Sequence, residues 1–309
     1  MDFQIDGIIP IVPTPFGGEE EIDWAALGLL VDFACASGAC AFCLPAYASE
    51  FYKLSEDERR ALVEAAVARA AGRLPVLAQV NFTSARQAAD GARAAQRAGA
   101  TAIAAAVPRL FAVGERDLYR YFDRLLAAID IPLLMQDFNP GGATVSAGLV
   151  AALHRAHPHF KWVKLEEPMM AGKVAAIQEA TGGEVGVLEG WGGMYLLELV
   201  PAGICGVMPG LAIADLLARA WRLARTKNTE GAYEVFQGVL PQIVFSLQSM
   251  ELFHHAEKRL LQARGLLARP TVRDLRVETD PGQDRYLEFL NAGILALLDR
   301  LGMPRNPAQ

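Results

Sequence analysis

Long apolar runs are missing from this 309-residue chain. The uncharged stretch Leu199 to Ala214 is too short to span a bilayer and is broken by Pro201, Gly203, Gly206, Pro209 and Gly210. The opening MDFQIDGIIPIVPTPF has neither a basic n-region nor an apolar h-region, so no secretory signal is expected. Positive charge is short as well: 29 Lys and Arg against 35 Asp and Glu give a formal net charge of −6, and the arginines are scattered, which argues against a nucleic-acid partner. Cysteine is scarce. Of the four, Cys35, Cys40 and Cys43 crowd one apolar segment and read as buried small residues rather than a disulfide framework. The five histidines, His154, His157, His159, His254 and His255, lie away from these cysteines, so no metal site is expected. A soluble, cytoplasmic protein without a membrane or nucleic-acid partner is expected.

The chain instead holds short apolar runs alternating with helical patterns. The runs are Ile8 to Val12, Cys40 to Leu44, Pro75 to Gln79, Thr101 to Val107, Pro132 to Gln136, Lys161 to Leu165, Glu184 to Leu188 and Ile204 to Val207. Ser55 with Glu58 and Ser84 with Gln87 have capping-box spacing, Asp23 and Ser146 are further candidate caps, and Gly72, Gly99 and Gly182 stand where helices should stop. Eight strand–helix units spaced by roughly 25 to 30 residues imply an α/β fold, a parallel (β/α)8 TIM barrel. An open doubly wound sheet would carry a glycine-rich phosphate loop after its first strand, and PTPFGGEE is not one. After Val207 the pattern is helical only: Ala212 to Thr226, Thr229 to Leu247, Met250 to Arg264 and Asp284 to Leu301, with a loop over Ala268 to Gln283. The expected division is a barrel over 1–226 and a helical extension over 227–309 that packs on it.

Six lysines are present, and only Lys161 and Lys164 fall inside an expected strand. Side chains alternate across a strand, so Val163 and Leu165 share the helix-facing side, while Trp162, Lys164 and Glu166 point into the barrel. Lys164 thus stands near the C-terminal end of its strand, where barrel enzymes keep their reactive groups. Partial desolvation there favours a free amine that can attack a carbonyl. Pairing with Glu166 or Glu189 as structure alone is the bland alternative.

The segments GIIPIVPTPF, SEFYKLSEDER, FKWVKLEEP and LEGWGGMYLLELVPAGICGVMPG together resemble the dihydrodipicolinate synthase and N-acetylneuraminate lyase family of Schiff-base barrels, over about Gly7 to Gly210. The resemblance implies that Lys164 forms an imine with a small 2-keto acid. It also implies that backbone amides of the loop Ala46 to Glu50, with Tyr47, Ala48 and Ser49 between, hold the substrate carboxylate. A homotetramer is implied too, and no metal or organic cofactor is required.

The chain departs from the family pattern at informative places. The usual GTTGE loop is Ala46, Tyr47, Ala48, Ser49 and Glu50 here. The tyrosine ending the fifth strand is replaced by Gln136 and Asp137, Arg109 and Leu110 replace an aromatic pair, and PGGAT lacks an arginine. Glutamine cannot take the proton from a C4 hydroxyl, as aldol cleavage requires. Glu166 suits removal of a C3 proton, as dehydration requires. QD after the fifth strand and K-x-E-x-P after the sixth look like the branch containing 2-keto-3-deoxyarabonate dehydratase. Dehydration of a 2-keto-3-deoxy sugar acid is therefore expected, ahead of pyruvate-dependent aldol chemistry, a dihydrodipicolinate synthase-like condensation, or a degenerate barrel that only binds keto acids. Lys164, Glu166 and Tyr47 are the expected catalytic residues. Thr14, Ala48, Ser49, Glu50, Gln136, Asp137, Glu189 and Gly190 are expected around the substrate, with Asp137 alternatively facing the helices and Arg109 either binding a distal carboxylate or lying at the surface. His254 and His255 are assigned no catalytic role.

Overall fold

The structure, a computed structural model, describes residues 3–110, 112–138 and 144–307. All but the last residue of PGGAT lies outside them. Eight strands form one sheet: β1 Gly7–Ile8, β2 Phe42–Leu44, β3 Val76–Gln79, β4 Ala102–Ala106, β5 Leu133–Phe138, β6 Phe160–Glu166, β7 Gly186–Glu189 and β8 Gly206–Val207. Every pairing is parallel, in the order β1-β8-β7-β6-β5-β4-β3-β2. The ends meet just beyond β1. The Cys43 amide donates to the Pro10 carbonyl and the Val12 amide to the Cys43 carbonyl, each at 3.0 Å, so the sheet closes into the (β/α)8 TIM barrel that the alternation of runs implied.

Helices follow the strands: α1 Trp24–Ala36, α2 Glu56–Ala70, α3 Ala85–Arg97, α4 Glu115–Leu126, α5 Ala147–Ala156, α6 Ala171–Thr181, the single turn α7 Leu196–Leu199, and α8 Ala214–Arg225. Three more follow among the described residues: α9 Thr229–Ser246, α10 Met250–Ala263 and α11 Pro281–Arg300. Asp23, Ser55 and Ser146 cap as expected, Ser55 and Glu58 as a full box. Ser84 makes only its half, accepting from the Gln87 amide. Helix α2 ends with Ala71 in the left-handed region, one residue before Gly72. Helix α11 begins at Pro281 rather than Asp284, because Asp280 caps it and a proline costs nothing at a first-turn position whose N–H has no partner.

Alternation along the strands splits the interior in two. Ile9, Ile11, Cys43, Leu77, Ala104, Leu134, Trp162, Leu188 and Met208 fill the lumen, while Ile8, Phe42, Ile103, Met135, Val163, Leu165 and Val187 pack under the helices. Trp162 needs room across the lumen, and Gly186 supplies it: a Cβ there would lie 2.8 Å from the indole. Val235, Val239, Ile243, Leu260, Leu261, Ile294 and Leu298 of α9 to α11 join the outer core, so the C-terminal helices share the barrel's packing. No helix among the described residues is long and apolar enough to cross a membrane.

Candidate active site

On β6, Trp162, Lys164 and Glu166 project to the lumen in turn, and above the Trp162 layer the two polar side chains meet. Lys164 Nζ lies 3.0 Å from Glu166 Oε1. Across the β5–β6 pair, Gln136 stands opposite Lys164 and donates through Nε2 to the same Glu166 oxygen at 2.6 Å. Close approach depends on Gly190, because a Cβ there would come within 2.4 Å of Glu166 Cγ and 2.7 Å of Lys164 Cε.

These groups open on a cavity of about 340 Å³ at the C-terminal end of the strands. Ala46, Tyr47 and Ala48 line one side, and Gln136, Phe138, Lys164, Glu166 and Gly190 another. Tyr47 and Ala48 begin a 3-10 turn whose third amide, that of Ser49, bonds to the Ala46 carbonyl at 2.9 Å. First-turn amides have no acceptor within such a turn, which leaves those of Tyr47 and Ala48 without one in it. Tyr47 packs edge-on against Phe51 and is tilted against Phe138. Burial, and secondarily the Glu166 carboxylate, push its phenol up, so it holds its proton at neutral pH.

Several expected contacts support the cavity without lining it. Thr14 donates its hydroxyl to the Ser49 carbonyl (2.7 Å), and Ser49 donates its own to the Val12 carbonyl (2.6 Å), pinning the turn to the segment after β1. Glu50 is wholly buried and adopts φ 60°; its carboxylate turns away to Lys258, Lys53 and the Arg273 amide. Asp137 is a correction to the expected set. It shares the helix-facing side with Met135, pairs with Arg109, and accepts from the Val145 amide at 2.7 Å, so it braces the loops after β4 and β5. Arg109 reaches Asp137 through Nη2. Glu189 follows the helix-facing Val187 by two residues and accepts from the amides of Gly193 (2.8 Å) and Tyr195. Burial outweighs these bonds and pushes its carboxyl up to about 7. His254 is buried against the Tyr52 hydroxyl, 3.0 Å from Nε2.

Nothing in the sequence pattern pointed to the cavity's roof. Leu247, Gln248, Ser249, Met250 and Phe253, at the corner between α9 and α10, close over the mouth; Trp191 and, from the lumen, Met208 also line the cavity. Phe138 was missed as well, although its alternation with Gln136 was a usable signal. Among the described residues, no group of three or more His, Cys, Asp or Glu side chains is placed to hold a metal ion.

An amine and a carboxylate side by side at the carboxyl ends of a closed parallel sheet, beneath a helical roof, define an α/β-barrel enzyme with an amine-centred site. The chain belongs to the dihydrodipicolinate synthetase family, whose model matches residues 4–280. It is similar to L-2-keto-3-deoxyarabonate dehydratase of Azospirillum brasilense, at 29% identity over 282 residues, covering 89% of this chain and 90% of that protein. It is also similar to the putative 2-dehydro-3-deoxy-D-gluconate aldolase YagE of Escherichia coli K12, at 30% identity over 132 residues, 43% of this chain and 44% of that protein. The crystal structure of YagE in complex with pyruvate superposes with a TM-score of 0.84 at 21% identity, covering 96% of this chain and 99% of that one, a likeness of fold. The protein is an enzyme, a lyase.

Proposed function

We propose that the protein dehydrates a small 2-keto-3-deoxy sugar acid through an imine between Lys164 and the C2 ketone. The observation that carries this reading is Glu166 Oε1, 3.0 Å from Lys164 Nζ, with the amide of Gln136 bonded to the same oxygen. The amine adds to C2, the ketone oxygen leaves as water, and the imine takes up a proton that its later hydrolysis gives back. The iminium draws electrons from C3, whose proton passes to Glu166 and leaves an enamine. The enamine expels the C4 hydroxyl, which departs as a second water on taking a proton. Tyr47 is the candidate donor, since it lines the cavity and burial keeps it protonated; Glu166 then returns a proton to it. Hydrolysis consumes one water and frees Lys164, so the net change is loss of one water. The amides of Tyr47 and Ala48 hold the carboxylate.

Aldol cleavage would need a base at the C4 hydroxyl. Gln136 has no basic group and Tyr47 keeps its proton, and both facts favour elimination. Incubation with a 2-keto-3-deoxypentonate, followed by NMR, tests the proposal: a dehydrated keto acid without pyruvate is expected, and pyruvate plus a small aldehyde would reject it in favour of the aldolase. Binding across a keto-acid panel without turnover would favour a barrel that only binds. The family resemblance also supports a homotetramer working in the cytoplasm, which light scattering and fractionation can check.

A further inference from the structure

Gln136 can meet Glu166 with either face of its amide, and only one face leaves Glu166 a base. An N–H donor stabilises the carboxylate, whereas a carbonyl in that place would demand a proton on Glu166. The choice is made at the end of β4. The Ala106 backbone N–H, which can only donate, bonds to Asn81 Oδ1 at 2.9 Å, so Asn81 must present its carbonyl there. Gln79 donates one hydrogen of Nε2 to the same Asn81 oxygen at 3.1 Å and the other to Gln136 Oε1, while its own carbonyl faces Cys43 Sγ at 3.7 Å. Gln136 then has only Nε2 left to turn toward Glu166. Turning Asn81 over would set N–H against N–H at both of its contacts. Its orientation holds although Nδ2 is left buried without a partner among the described residues.

We propose that Asn81 and Gln79 are positioning residues: a one-way chain of amides, started by the Ala106 N–H, obliges Gln136 to offer its N–H to Glu166 and keeps that oxygen ready for the C3 proton. Gln79, Gln136 and Glu166 are buried, which strengthens each bond of the chain. The other charged or titratable groups acting on Glu166 are Lys164 on its own strand, Tyr47 from the turn after β2, and Glu189 on β7. The inference rests on the reading that Glu166 moves the C3 proton.

Two measurements on the full-length enzyme with pyruvate separate the layers: borohydride trapping reports the imine, and exchange of the methyl protons in D2O, followed by NMR, reports C3 proton transfer. Asn81→Leu and Gln79→Leu are expected to trap pyruvate at the wild-type half-saturating concentration while exchange slows about tenfold or more, a fraction of what a general base contributes. Asn81→Asp keeps the acceptor and is expected to exchange within about threefold of wild type. Exchange unchanged in the leucine variants, exchange falling only in step with trapping, or Asn81→Asp as impaired as Asn81→Leu would each overturn the inference. Failure of the wild type to trap pyruvate at all would instead remove the imine reading beneath it.

Discussion

Lys164–Glu166 and Lys258–Glu50 are both buried ion pairs, and they differ in what surrounds them. Lys258 donates to Glu50 and to the Thr271 carbonyl (2.8 Å) and sits 4.4 Å from the centre of the Phe16 ring, while the second Glu50 oxygen takes Lys53 and the Arg273 amide, each at 3.2 Å. Its side chains are 1% and 0% exposed, and burial lowers the ammonium to about 8. Lys164 and Glu166 are nearly as buried, at 8% and 7%, but their shared edge faces a cavity. Burial is common to both pairs, so it does not mark the one proposed to react. Unspent bonding capacity turned toward space does. The sealed pair instead ties α10 and the segment around Arg273 to the residue that ends the Tyr47–Ser49 turn.

The sharpest contrast comes from disabling one pair at a time. Glu166→Gln should lower turnover by about 10² to 10⁴-fold, the range for loss of a general base, while the thermal midpoint moves little; steady-state kinetics beside a melting curve checks both. An unchanged rate would make Glu166 structural and erase the distinction. Lys258→Met should do the reverse. Leaving the buried Glu50 carboxylate with Lys53 as its remaining cation is expected to cost up to about 3–5 kcal/mol in chemical denaturation, with Lys164 still trappable at low temperature. A smaller effect comes from Glu257, whose carboxyl burial raises from 4.5 to about 7 despite bonds from the backbone at Leu211 and Ala212. Between those values the folded protein binds more protons than the unfolded chain, so stability falls as pH rises through that window. Glu257→Gln should flatten part of that decline, read from melting midpoints between pH 4.5 and 7.5; an unaltered slope would show that the carboxyl titrates normally.

The eight strands and Lys164 were legible because a parallel barrel repeats one local pattern and because strand parity tells inside from outside. The same parity separates Gln136 from Asp137, which are merged when the two are taken as one motif: Gln136 shares its face with Leu134 and Phe138, Asp137 with Met135. Glu189 follows the same rule through Val187. The partnership of Glu50 with Lys258 and the roof from Leu247 to Phe253 were not legible. Those contacts join residues about 200 positions apart in the chain, and no periodicity or capping signal carries that distance. Asn81 and Gln79 escaped for another reason: an amide's role is set by which of its ends a neighbour demands, which only the assembled network reveals.

Reduction with borohydride in the presence of pyruvate, followed by peptide mass mapping, tests the central claim most directly. The account predicts a single reduced adduct on the peptide carrying Lys164, absent from Lys164→Ala. An adduct on Lys258 or any other lysine, or none at saturating pyruvate, would contradict it.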